Sequence, residues 1–282
     1  MTTMQRLPTA FVALSALVMA APSMAQNGPP ATDDRSGVVA AAMDYMEGAV
    51  TADAERVARG VHPELNKVVI NTLPNHRQVL GYTTASALVE TVRSLAERMA
   101  GVDKGVDVTV FDIGEGVASA RAVGQLWYDL LQLAKVDGQW RLVNVLWARN
   151  EPNGDGTDAS GTDADRTDVE RVVMDYVDGI YSGDAERVEK ALHPEVNRVE
   201  VRTNGQTGRS FLNKMGFSAL VEAARAGLAN VESDRRNIKV EVFDVSHGIA
   251  SAKVTSVGFV EHLQVGRVNG AWKIINALSV RR

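Results

Sequence analysis

The chain contains one domain twice. "DAERVARGVHPELNKVVI" begins at Asp53 and "DAERVEKALHPEVNRVEV" begins at Asp184. Met43-Asp44-Tyr45 returns as Met174-Asp175-Tyr176, at an offset of 131 that His62-Pro63-Glu64 and His193-Pro194-Glu195 share. Further on, Val110-Phe111-Asp112 returns as Val242-Phe243-Asp244, Leu131-Gln132 as Leu263-Gln264 and Gly138-x-Trp140 as Gly270-x-Trp272, now at an offset of 132. Self-similarity over so long a period means two copies of one unit, each with its own core. Any fold proposed for the chain must therefore close within about half of it.

What lies outside the copies sets the context. "MTTMQR" carries one cation, Arg6; an apolar run follows, and then Ser23-Met24-Ala25 ahead of Gln26. That order reads as a cleaved secretory signal over residues 1–25 and predicts an exported protein, periplasmic or extracellular. Charges interrupt every later apolar run, so no membrane span is expected after cleavage. The chain has no cysteine. Disulfides, thiol catalysis and thiolate metal sites are excluded, and each domain must be held by its core alone.

Residues 150–167 are rich in Gly, Asp, Thr and Ser and show no apolar periodicity. They read as a flexible acidic linker between a first domain over 33–149 and a second over 168–282. The linker aspartates fail the calcium-loop pattern: from Asp163 the sixth residue is Asp168 instead of Gly and the twelfth is Met174 instead of Glu. Charge sums to about −3 in the first copy, −5 in the linker and +2 in the second, within a total of −5. Neither copy has the basic excess that nucleic acid binding requires.

The local pattern sets the fold class. Val169, Val172, Val173, Tyr176, Val177 and Ile180 share one helical face, and Asp184 to Leu192 reads as a second, short helix. Val196 to Thr203 alternates as a half-buried strand, "MGFSALVEAARAGLAN" is a third helix, and four strand-like runs close the copy. "VDGQW" and "VNGAW" carry the Asp-Gly and Asn-Gly pairs of tight hairpins. Helices first and a long meander last predict an α+β domain, with helices covering one face of a curved antiparallel sheet.

Few residues point to chemistry. His-Pro-Glu could supply an acid–base pair or two metal ligands, but a residue before proline is pushed out of the helical region. A motif kept in both diverged copies is read as a structural joint. Trp127, Asp129 and Leu131 share a strand face, matched by Phe259, Glu261 and Leu263. A carboxyl among such neighbours would be desolvated and suited to proton transfer, so Asp129 and Glu261 are the catalytic candidates; the competing reading is an outward edge carboxylate. Tyr45 and Tyr176 fall on the apolar helix stripe, with hydroxyls aimed at a core partner or a ligand. Asn144 and Asn276 follow Trp140 and Trp272 by four residues, which simple alternation places on the same inward face. The expected pocket is thus Tyr45, Trp127 and Asn144 in the first copy, with Tyr176, Phe259 and Asn276 in the second. No phosphate loop, nucleotide fingerprint or metal-ligand spacing is present, and no cofactor or metal is expected.

The stretches "GDAERVEKALHPE", "VEVFDVSHGIASAKV" and "LLQLAKVDGQWRLVNVLW" resemble the NTF2-like superfamily, and within it the SnoaL-like group labelled putative lumazine-binding. The resemblance covers both repeats. It implies two tandem cones, each a curved sheet around a long helix with an apolar pocket between. Relatives use that pocket for isomerases, dehydratases, hydrolases, cyclases or plain binding. The related isomerases and dehydratases pair an Asp or His base with polar partners; by position this implies Asp129 and Glu261, with Tyr45 and Tyr176 as donors, and no full catalytic set carries over. The expectation is an exported, non-catalytic protein that binds a small apolar or aromatic ligand, or a protein partner. The alternative is a proton-transfer enzyme with one active cone. Cones of this kind pair through the open faces of their sheets, and an 18-residue linker with a reach of about 23 Å lets that pairing occur within one chain.

Overall fold

A computed structural model describes residues 32–150 and 159–282. The expected signal and the middle of the linker lie outside the described residues. The first domain runs α1 (Thr32–Thr51), α2 (Ala54–Gly60), β1 (Val61–Thr72), β2 (Gln78–Thr84), α3 (Ala85–Arg93), β3 (Asp107–Gly114), β4 (Val117–Val123), β5 (Trp127–Val136) and β6 (Gln139–Arg149). The second repeats it as α4 (Asp163–Ser182), α5 (Ala185–Ala191), β7 (Leu192–Thr203), β8 (Ser210–Met215), α6 (Phe217–Arg225), β9 (Lys239–Ser246), β10 (Ile249–Thr255), β11 (Phe259–Val268) and β12 (Ala271–Arg281). Each domain is a six-stranded sheet with three helices on one face, in strand order β2-β1-β6-β5-β4-β3 and β8-β7-β12-β11-β10-β9.

Three details differ from the sequence reading. The short strands β2 and β8 close one edge of each sheet. The pairs β1·β6 and β7·β12 run parallel within otherwise antiparallel sheets. Helix α4 starts at Asp163, inside the stretch read as linker. There the Thr162 hydroxyl accepts from the Asp165 N–H, and the Asp165 carboxylate accepts from the Thr162 N–H. Two orphan donors satisfied reciprocally start a helix without any apolar residue. The described helices include none long and apolar enough to cross a membrane.

The repeated phrase is structural throughout. Asp53 and Asp184 cap α2 and α5 by accepting from the N–H of Arg56 and Arg187. Those arginines reach back to α1 and α4, where Arg56 Nε meets Asp44 at 2.9 Å and Arg187 Nε meets Asp175 at 2.7 Å. Val57 and Val188 are fully buried under Gly48 and Gly179, where an added Cβ would come within 2.7 and 2.9 Å of the valine methyls. In His-Pro-Glu, the Nδ1 of His62 accepts from the Glu64 N–H at 3.1 Å, and His193 does the same for Glu195. Burial, the largest influence, lowers both imidazole pKa values, which keeps Nδ1 free of a proton and able to accept. The histidine is the cap of its own corner.

The two sheets pack with their outer faces together. Val68, Leu130, Leu146 and Ile275 form one shared apolar cluster, and Val143, Val199, Leu278 and Val280 form another. The rings of the equivalent residues Phe111 and Phe243 stack at 5.5 Å. Between them run two identical polar relays. Asn197 donates to Asn144 (2.9 Å), Asn144 to Gln132 (2.8 Å), and Gln132 to the His262 carbonyl (2.8 Å). Asn66 donates to Asn276 (2.9 Å), Asn276 to Gln264 (2.8 Å), and Gln264 to the Leu130 carbonyl (2.8 Å). Each relay crosses the seam twice, and the two exchange under a pseudo-twofold axis.

Asn144 and Asn276 therefore do not line a cone. The pairing steps from Gln132↔Asn144 to Leu133↔Leu142 and from Gln264↔Asn276 to Val265↔Ile274, so Val143 and Ile275 are extra residues. A β-bulge shifts the alternation by one. Trp140 and Leu142 face in, Val143 and Asn144 both face out, and Val145 faces in again.

Two outcomes follow. Gln132→Leu strands the His262 carbonyl and the Asn144 amide in the seam and should cost about 2–4 kcal/mol, at the usual cost of each unpaired buried group, with no change in urea m-value; a loss below about 1 kcal/mol would show the relay to be incidental. The second concerns acid. Burial tends to raise the Asp112 pKa, but bonds from His262 (3.0 Å) and Lys253 (2.9 Å) across the seam outweigh it and hold the carboxyl at about 2, below the usual 3.8. A depressed carboxylate pKa contributes stability that is complete above pH 3.8 and is lost as pH falls through about 2. Asp112→Asn should remove about 2 kcal/mol of stability at neutral pH and flatten that acid limb in urea titrations.

Candidate functional site

Inside each cone the long helix, the first strand and the fifth bring three polar side chains together. In the first, Asp129 on β5 is 1% exposed and accepts from the Tyr45 hydroxyl of α1 and from Lys67 Nζ of β1 at 2.9 Å. Lys67 also donates to the Tyr45 oxygen at 2.5 Å. Its ammonium lies 4.6 Å from the centre of the Trp147 ring. Trp127 and Trp147 are half-buried and pack against the same core. Burial lowers the Lys67 pKa, with Asp129 opposing the shift; burial and then the Asp129 charge raise that of Tyr45, so the phenol stays protonated as a donor.

The second cone repeats the plan with other residues. Glu261 on β11 and Tyr176 on α4 are fully buried, and Arg198 Nε of β7 reaches Glu261 Oε1 at 2.5 Å. Tyr176 lies beside this pair, yet its hydroxyl makes no hydrogen bond of good geometry. Burial and the Glu261 charge push its pKa up. Burial works against the charge on Arg198, but Glu261, Tyr176 and Glu200 outweigh it and hold its pKa above the ordinary value. Phe259 stands where Trp127 does, and stacks on Tyr181 at 5.6 Å.

The structure thus brings Tyr45, Trp127 and Asp129 into one cone and Tyr176, Phe259 and Glu261 into the other. The edge-strand reading of the two carboxylates fails because the second sheet covers the outer face and the helices cover the inner one. Sequence reasoning missed Lys67 and Arg198, which looked like the solvent side of a half-buried strand. Val68 and Val199 face the opposite domain, so the alternating charge had to face the cone. The available signal was a cation retained at one offset in both copies. Both carboxylates share a further feature: Asp129 Oδ1 and Glu261 Oε2 are buried without a hydrogen-bond partner. Two surface clefts lie elsewhere: one of about 340 Å³ at the seam beside Arg121, Tyr128, Asp244 and His247, and one of about 450 Å³ beside Tyr181, Asn230, Arg235 and Arg236.

The model of the family described as "Putative lumazine-binding" matches residues 33–148 and again 164–278. The chain belongs to that family, with two copies of its domain. Among solved structures it is similar to an NTF2-like protein of unknown function from Shewanella baltica OS155, at 16% identity over 44% of this chain and 99% of that one, with a TM-score of 0.35. An NTF-2-like protein of unknown function from Silicibacter pomeroyi DSS-3 matches at 19% identity over 43% and 100%, TM-score 0.36. A ketosteroid isomerase-like protein from Erwinia carotovora atroseptica SCRI1043 matches at 16% identity over 43% and 99%, TM-score 0.31. No functionally curated protein matches.

The buried ion pair generates a stability test. Lys67→Met leaves Asp129 as an uncompensated buried carboxylate and should cost about 3–5 kcal/mol in urea denaturation. Adding Asp129→Leu should recover most of that loss, because removing both charges is close to neutral. A double variant as unstable as the single would mean that the pair is not what holds this region.

Proposed function

We propose that this protein binds a small ligand inside its cones without transforming it. One observation carries the reading. In both cones the carboxylate holds its cation with one oxygen and leaves the other buried with no donor. A buried acceptor without a partner is costly and calls for an explanation. A ligand carrying an N–H or O–H group would satisfy it. In the first cone Trp127 lies two residues before Asp129 on the same strand and Trp147 directly across the ladder from it, which suits a flat ring. Lumazine, named in the family description, is a flat heterocycle with N–H donors beside carbonyl acceptors, and it has the matching features.

The arrangement gives less support to proton transfer. A general base must have its reacting oxygen placed and its partners arranged for the return of the proton. Lys67 and Arg198 differ between the cones while the charge balance stays the same, which is what an ion pair needs and a shared reaction does not. Export completes the proposal: the leader over 1–25 directs the chain out of the cytoplasm, and mass spectrometry of the secreted or periplasmic protein should find a mature terminus at Gln26.

In a Trp272→Phe background, quenching of tryptophan fluorescence reports on the first cone, since Trp127 and Trp147 line it and Trp140 lies in its core. Titration with flat heterocycles that carry an N–H edge should quench it, and N-methylated analogues should bind at least about tenfold more weakly, the worth of one hydrogen bond to a charged acceptor. Asp129→Asn should abolish the difference. Equal binding of both analogue sets would refute the role of the free oxygen. Turnover of a Δ5-ketosteroid or a dehydratase substrate that disappears in Asp129→Asn would establish the enzyme instead.

A further inference from the structure

The two cones differ most along the inner face of their first and last strands. Trp147, which roofs Lys67 in the first cone, is replaced by Ser279 in the second, directly across the β11·β12 ladder from Glu261. Val69, on the inner face of β1, is replaced by Glu200 on β7, and Asn71 by Arg202. The second cone therefore gains charge where the first is uncharged.

That charge is organised around one residue. Glu200 is 2% exposed. Its Oε1 takes Arg281 Nε at 2.7 Å, and its Oε2 takes Arg202 Nη2 at 2.9 Å with Arg198 Nη1 at 3.8 Å. Three guanidiniums thus surround Glu200, and among the described residues Glu261 is the one other carboxylate paired to them. Three positive charges against two negative leave an excess of one. Arg202 and Arg281 have side chains 38% and 71% exposed, so both guanidiniums reach solvent. A guanidinium offers five donors, and Glu200 occupies only one side of each. Strand alternation puts Arg202, Glu200, Arg198, Ser279 and Arg281 on one inner face. Glu261 Oε2, Ser279 Oγ and Arg202 Nε are buried there without partners, the Tyr176 hydroxyl beside Arg198 and Glu261 makes no hydrogen bond of good geometry, and Tyr176, Glu261 and Ser279 are each fully buried.

We propose that the second cone recognises a small anionic ligand, a carboxylate or a phosphate monoester, through Arg202 and Arg281. Glu200 is the positioning residue that holds the two guanidiniums side by side. The anionic group replaces solvent on their outer edges, with paired N–H···O bonds of the kind arginine forms with planar oxyanions. The body of the ligand enters toward Ser279 and Tyr176, whose hydroxyls supply the missing hydrogen bonds. The first cone keeps an arginine, Arg149, where the second has Arg281, but has Asn71 in place of Arg202 and Val69 in place of Glu200, so the tandem chain takes two different ligands. This rests on the reading that the cones bind ligands, and adds the class taken by one of them.

The test is calorimetric titration of the full mature chain with benzoate and phenyl phosphate, each matched against benzamide as the uncharged probe. The acids should bind one site per chain, at least about tenfold more tightly than the amide, and should weaken as salt is raised. Arg202→Gln with Arg281→Gln should remove that preference and leave the Trp127 and Trp147 fluorescence response to heterocycles unchanged. Arg281→Gln alone, at an exposed side chain, serves if the double variant does not fold. Benzamide binding as tightly as the acids, with both lost in Glu261→Gln, would overturn the anionic class while leaving the cone reading intact. Acid binding that survives the arginine substitutions would overturn the assignment of the site. Absence of binding by all three probes would overturn it as well, and the fluorescence titration of the first cone decides separately whether cones bind ligands at all.

Discussion

The contact between the outer faces of the two sheets governs the rest of the molecule. A single cone with its helices on one face would show the other to water. Here that face carries Val68, Leu130, Val199 and Leu278, all fully buried against the opposite domain. Apolar contact by itself is indifferent to register. The two Asn–Asn–Gln relays are not, because each donor and acceptor is used once and a slip of one residue would strand all of them. A buried, fully satisfied polar network set in an apolar seam specifies one arrangement.

That contact has a consequence inside the cones. Once both faces of β1 and β7 are covered, alternating polar positions have nowhere to meet water. Lys67 and Arg198 face inward, and each must find a carboxylate there; Asp129 and Glu261 on the fifth strand supply it. The ion pairs neutralise the interior but do not fill its hydrogen-bonding capacity, since Asp129 Oδ1 and Glu261 Oε2 stay without a donor. The two copies differ here: one has an aromatic roof over its lysine, and the other has a serine in that place and an arginine-ringed glutamate.

Much of this was legible in the residues. The duplication, the α+β order and the hairpins at Asp137-Gly138 and Asn269-Gly270 follow from offsets, periodicity and turn chemistry, whereas alternation alone leaves Asp129 and Glu261 on a pocket face or an outward edge alike. At the hairpins, Asp137 and Asn269 adopt φ of 48° and 50° and their glycines 83°, the backbone such pairs are chosen for. The start of α4 at Asp163 is set by the Thr162–Asp165 capping box and not by apolar spacing, so periodicity alone does not reveal it. Asn144 and Asn276 were placed on the wrong face because a bulge leaves no mark in a pattern read two residues at a time.

The sequence by itself determined the repeat, the elements and the residue types available to each cone. Those depend on neighbours within a few positions along the chain, where periodicity, caps and turns act. Only the tertiary structure decided which way the charges point. Whether Lys67 faces water or a carboxylate 62 residues away depends on what covers the other side of its strand. That cover comes from a second domain more than a hundred residues distant, and no local pattern carries information over that range.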